Sequence, residues 1–166
     1  MSRGFVKEDD QEEVPIVPPR AYLPAGVTNF VTQGGMSQLL AEKQMLEKEK
    51  NNLSSAREDE KQIGINFINA KLQLLNNRIA EARVVDLSAQ PKNEIRFGAT
   101  ITLRAESDGN IQTFQIVGVD EADIAGGKVS FLSPVSRALI NKKAGERVIL
   151  KQAGKDVVYE VTGISY

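Results

Sequence analysis

The chain contains no cysteine, no histidine and no tryptophan. Without cysteine it has no disulfide, no thiolate metal ligand and no thiol nucleophile. Without histidine it lacks the commonest general base and the commonest protein metal ligand. A metal site here must be built from oxygens, which suits magnesium or calcium better than zinc. Aromatics are scarce at 5%, so a wide aromatic-walled pocket is hard to assemble. No apolar run approaches the ~20 residues needed to span a bilayer. The opening Met1-Ser2-Arg3-Gly4-Phe5-Val6-Lys7 has no apolar core of the signal-peptide kind. The expectation is a cytoplasmic protein with no membrane partner. A basic excess is also missing: 21 Lys and Arg stand against 22 Asp and Glu, a net charge of −1. Tight, direct duplex binding by phosphate neutralisation is therefore not expected.

What the 166 residues do contain is one strong pattern. Ile65, Ile68, Leu72, Leu75, Ile79 and Ala82 alternate spacings of three and four, the apolar seam of a coiled coil. Before it, Leu39, Leu46 and Leu53 fall seven apart, with Met36 beside them and Lys43 and Lys50 at the other seam positions. The two stretches predict helices from about Thr32, as N-cap, to Leu53, and from Ala56 to Arg83. Ser55 and Glu58 have capping-box spacing at the second start, and Gly64 is a weak point inside that helix. The link is short, so the arms pack antiparallel as a hairpin over residues 32–86.

The flanking regions differ in kind. Residues 1–31 form an acidic and proline-rich arm, with Glu8, Asp9, Asp10, Glu12 and Glu13 followed by Pro15, Pro18, Pro19 and Pro24. Prolines at that density keep it extended. It is either a draped tail or, through Phe5, Ile16, Val17, Tyr22 and Leu23, an arm that packs. Residues 87–93 read as a linker. From Ile95 to the C-terminus the period is two, with a hairpin turn at Ser107-Asp108-Gly109-Asn110 and another around Ala153-Gly154. Ser133-Pro134 starts a short helix over Val135–Ile140. The fold class is α+β: a helical hairpin, then an antiparallel β-sheet domain with one short helix over 95–166.

Two acidic clusters are the candidate functional residues. Glu58, Asp59 and Glu60 lie at the hairpin tip. They are either oxygen ligands for a cation or first-turn acids that oppose the helix dipole. Asp120, Glu121 and Asp123 sit on a loop of the β domain, where they either form a cation site, meet a basic surface or shape a turn. Ser133 has no histidine to activate it as a nucleophile. Lys142, Lys143 and Arg147 form a small basic cluster, either a solvated face or a contact surface.

Phe97-Gly98-Ala99-Thr100, Ile116-Val117-Gly118, Asp120-Glu121-Ala122-Asp123, Ser130, Ser133-Pro134, Ala138-Leu139, Lys142 and Gly145 follow in that order along the chain. This ordered set resembles the Gre family of bacterial transcript-cleavage factors. Thr32, Gly35, Leu39, Glu42 and Leu46 resemble the family's helical opening, and Ile79 with Val84-Val85-Asp86 its exit. The resemblance implies a helical hairpin joined to a domain similar to FK506-binding proteins. It implies RNA polymerase as partner, reached through its secondary channel, with nucleic acid met only indirectly inside the elongation complex. It implies an accessory factor rather than an enzyme, monomeric, with no cofactor of its own. Acidic tip residues, here Glu58 and Asp59, would share a magnesium ion with the polymerase. Asp120, Glu121, Asp123, Ser133, Pro134 and Lys142 would then belong to the docking domain. The family's tip segment, of the type Asp-Leu-Lys-Glu-Asn-Ala-Glu-Tyr, is absent, and the hairpin is shorter by about two turns per arm. Splitting the gap evenly puts Glu58 at the first tip carboxylate and Lys61 at the second. A short hairpin of this kind also resembles the regulator of nucleoside diphosphate kinase, which points to a non-cleaving competitor for the channel. The alternatives outside this class are a prolyl isomerase, from the domain likeness, and a coiled-coil adaptor.

Overall fold

The computed structural model describes residues 14–54 and 57–166. In chain order it contains β1 (Asn29–Val31), α1 (Gln33–Asn51), α2 (Glu58–Glu81), β2 (Ala82–Val84), β3 (Thr100–Ala105), β4 (Ile111–Val117), β5 (Lys128–Ser130), α3 (Pro134–Leu139), β6 (Arg147–Gln152) and β7 (Lys155–Ser165).

The hairpin forms from its own periodicity. Leu39, Leu46, Ile68, Leu72 and Leu75 are buried between the arms, with Met36, Leu53, Ile79 and Ala82 packed at the edges. Ile65 is only half-buried, as are Lys43 and Lys50; a lysine tolerates such a position because its aliphatic stem can lie on apolar surface with the ammonium in water. Thr32 caps α1: its hydroxyl oxygen accepts the Gly35 N–H at 2.9 Å. The expected start of α2 rests on Ser55 and Ala56, which lie outside the described residues. From Glu58 onward Arg57 occupies the cap position in extended backbone, and its guanidinium donates to the Asp59 carboxylate in the first turn at 3.0 Å.

Gly64 has a packing reason. A Cβ there would stand 3.3 Å from a Leu53 methyl, so the missing side chain lets the end of the first arm fold down over the second. At the other end α2 stops at Glu81, two residues before the expected Arg83. Ala82–Val84 instead pairs in parallel with Asn29–Val31, and Val85 N–H donates to Val31 O at 3.0 Å. Extended backbone suits the β-branched pair Val84-Val85, and β1 supplies the hydrogen-bond partners.

The C-terminal part is a curled five-stranded sheet in the order β5-β4-β3-β7-β6. The expected antiparallel pairings form between β3 and β4, β3 and β7, and β6 and β7. The edge departs from that expectation, because β5 lies parallel to β4. The 118–127 loop crosses back before the chain re-enters the sheet, so β5 runs in the same direction as its neighbour. Ile95, Ile101, Leu103, Ile116, Leu139 and Val161 form the centre of a second core, each 0% exposed. Ser133 caps α3 through Ser136 N–H at 3.2 Å, with Pro134 in the first turn.

The linker is more ordered than its composition suggests. Leu87–Ala89 makes a 3-10 turn, and Asp86 Oδ1 accepts both Ser88 N–H at 3.0 Å and Ser88 Oγ–H at 2.6 Å. Those bonds to Ser88, the hydroxyl first, hold the Asp86 carboxyl below its usual pKa. Hairpin and sheet meet at an aromatic joint. Phe30 stacks 5.8 Å from both Phe97 and Phe131, which are themselves edge-on at 5.6 Å.

Candidate functional site

The hairpin ends away from the β1–β2 base in the first turn of α2, where Glu58, Asp59 and Glu60 are all exposed. Successive residues on a helix point about 100° apart, so the three carboxylates fan out around the axis. Arg57 sits among them. Its guanidinium lies 3.0 Å from Asp59 Oδ2 and 3.9 Å from Glu60 Oε1. Among the described residues, no group of three or more acidic side chains is placed to hold a metal ion. The tip carboxylates therefore do not fit a magnesium site of this chain's own: they diverge, and a cation is already beside two of them. Lys61, one turn on, donates its backbone N–H to Arg57 O at 3.2 Å.

The second cluster separates into inward and outward members. Asp120 has a side chain only 9% exposed and lies between two guanidiniums, Arg20 at 3.1 Å and Arg78 at 3.3 Å. The Arg78 approach is an ion pair rather than a hydrogen bond, since Asp120 Oδ2 has no donor aligned on it. Glu121 is buried and accepts the Thr32 hydroxyl hydrogen. Thr32 thus caps α1 with one lone pair and donates to Glu121 with its proton. Asp123 alone of the three faces solvent; its backbone bridges to Lys128 through two bonds of 2.9 Å.

Ser133 and Pro134 serve as the α3 cap. Lys142 is half-buried, and its carbonyl accepts Ile95 N–H at 2.8 Å. Asp120 and Glu121 thus have their carboxylates committed inside the molecule, between hairpin and sheet.

Sequence reasoning missed Arg20 and Arg78. Arg20 Nη1 and Nη2 donate to the two Glu42 carboxylate oxygens at 2.8 and 3.1 Å, and its Nε donates to Asp120 Oδ1 at 3.1 Å. The Glu42 hydrogen bond, with the charges of Asp120 and Glu42, holds the guanidinium pKa above its ordinary value against the opposing effect of burial. One signal was available: Arg20 is the only charged residue between Glu13 and Glu42. Of the apolar residues expected to pack the arm, Phe5 lies outside the described residues and the other four pack unevenly. Ile16 is 94% and Tyr22 81% exposed, whereas Val17 and Leu23 line a shallow groove with Leu74 and Arg78 of α2.

A helical hairpin with a charged tip, joined through aromatic and polar contacts to a curled sheet domain, defines a protein that presents a protruding element. Residues 90–166 match the family described as transcription elongation factor GreA/GreB, C-terminal domain. The elongation factor GreA of Pseudomonas aeruginosa is 35% identical over 134 residues, covering 79% of this chain and 82% of that protein. GreA of Maricaulis maris is 35% identical over 100 residues, and there the match spans 64% of the relative's length. A solved structure of the Nitrosomonas europaea GreA/GreB elongation factor is 20% identical and covers 84% of this chain and 99% of that one, with a TM-score of 0.43. The chain belongs to the GreA/GreB transcription elongation factor family.

Proposed function

We propose that the chain regulates bacterial RNA polymerase in the cytoplasm, docking its β domain at the rim of the secondary channel and placing the hairpin inside. It acts as a monomer and meets nucleic acid only within the elongation complex. The observation that supports this reading is the exposed Glu58-Asp59-Glu60 tip, held at the end of the hairpin opposite the sheet domain. The tip chemistry favours occupancy of the channel over hydrolysis. Carboxylates that offer lone pairs to a cation have to converge and be free of other cations. These diverge, and Arg57 lies beside Asp59 and Glu60. Peptide isomerisation is the weaker enzymatic alternative, because Phe97 and Phe131 direct their rings at Phe30.

The test uses backtracked elongation complexes on core polymerase. The parent chain is expected not to accelerate transcript cleavage and to suppress, in a dose-dependent way, cleavage stimulated by a cleavage-competent GreA. Acceleration that is abolished by Glu58→Ala, Asp59→Ala and Glu60→Ala together would establish the cleaving form instead. No effect in either arm would sink the polymerase reading.

A further inference from the structure

We propose that Arg20 is a positioning residue: by joining Glu42 on α1 to Asp120 on the β4–β5 loop, it holds the hairpin at one angle to the β domain. The purpose of a fixed angle rests on the polymerase reading above, since a tip aimed by a docked domain is useful only if the two cannot swing.

The argument is one of leverage. Hairpin and sheet are already fastened at the base, where Thr32 meets Glu121 and Phe30 meets Phe97 and Phe131. Arg78 near the end of α2 adds an ion pair to Asp120, but it too lies at the base, where its carbonyl accepts from Asn29 of β1; fastenings gathered at one end act as a pivot. Glu42 lies ten residues beyond Thr32 along α1, about 15 Å up the helix at 1.5 Å per residue. Arg20 ties that point to Asp120, the residue next to Glu121. Two attachments separated along the helix resist tilt, because tilting stretches one of them.

The chemistry of the tie suits the role. Arg20 is 18% exposed and uses three N–H groups on two carboxylates from different parts of the chain. A guanidinium fork can do this, whereas a lysine ammonium acts as a point charge. The group is electrically balanced, with Arg20 and Arg78 against Asp120 and Glu42. Arg78 also donates to Ala21 O, which seats the arm on α2 immediately after Arg20. The arm is thus a brace laid across the joint, with Arg20 as its pin.

The chain has no cysteine, so two spin labels can be placed without background. Ile63→Cys near the tip and Ile149→Cys on β6 are suitable, being 68% and 62% exposed. In the free, full chain, Arg20→Gln is expected to at least double the width of the label-to-label distance distribution, with helical circular dichroism and cooperative melting retained. Arg20→Lys is expected to recover only part of the narrowing. Glu42→Ala removes both acceptors of the same tie from its solvent-facing end and should broaden the distribution likewise; it decides the matter if Arg20→Gln does not fold. An unchanged width in the folded variants would overturn the proposal. Broadening combined with no effect of the parent chain on polymerase would sink the polymerase reading and leave the brace standing. Competition with an unchanged width would do the reverse.

Discussion

Tyr166 shows how far one side chain can tie distant parts of the β domain. Its hydroxyl donates to Glu94 O at 2.5 Å and accepts Arg96 N–H at 2.7 Å. Burial pushes its pKa above the ordinary 10.0, partly opposed by the Arg96 N–H and charge. The donated bond exists only in the neutral form. A raised folded-state pKa means the stabilisation is complete below the unfolded value and is lost as pH rises through the folded one. Tyr166→Phe should lower stability by about 0.5–1.5 kcal/mol near neutral pH. That difference should shrink above about pH 10. Denaturant midpoints of both proteins across the range would show it; a gap that persists into strong alkali would contradict the assignment. Asp86 has the opposite sign. Its lowered carboxyl pKa stabilises the turn above the unfolded value, and that contribution fades as pH falls through the folded one.

At the scale of the element, the hairpin is held by its seam and not by its surface. Leu75 is 0% exposed while its neighbour Leu74 is 37% exposed. Leu75→Ala should cost about 2–5 kcal/mol, the range for a buried leucine that leaves a cavity. Leu74→Ala, at a half-open position beneath the arm, should cost under about 1 kcal/mol. Urea unfolding followed by helical circular dichroism separates the two; equal losses would mean the seam is misassigned. The same element shows why composition alone misjudges Gly64. Taken as a helix-weakening residue it is a defect, yet beside Leu53 it is the space that lets the first arm close on the second.

At the scale of the whole molecule, the decisive feature is the closeness of hairpin base and sheet domain. A Cβ on Gly118 would stand 2.6 Å from Phe30 O, a backbone atom that cannot move alone. Gly118→Ala should therefore force the joint apart and cost about 1–3 kcal/mol, as overpacked sites do. Gly34→Ala is the control. Its nearest neighbour would be the Thr32 hydroxyl at 3.7 Å, an ordinary contact, and alanine in the first turn of α1 gains helix propensity. Thermal or denaturant unfolding of the pair should move in opposite directions. Stability unaffected by Gly118→Ala would show that the joint is looser than the packing of Phe30 indicates. This closeness also explains why an acidic loop that looks like a docking surface is occupied: Asp120 and Glu121 face Arg78 and Thr32 of the hairpin, and Asp120 also meets Arg20 of the arm.

Several features were readable in the residues because their causes are local. The seam of Leu39, Leu46, Ile68, Leu72 and Leu75 follows from spacing, the Thr32 and Ser133-Pro134 starts from capping chemistry, and the β hairpins from alternation and turn residues. The ordered residues from Phe97 to Gly145 pointed to the family, and the match over 90–166 and the Pseudomonas aeruginosa relative bear that out. Other features came only with the tertiary structure. The early stop of α2 depends on β1 being alongside, and the direction of β5 depends on how the 118–127 loop crosses. Arg20 meets Asp120 across a separation of 100 residues. A sequence specifies residue type and local period, but an ion pair is chosen by distance in space. That is why the acidic tip is visible in the sequence, while the Arg20 link between Glu42 and Asp120 is not.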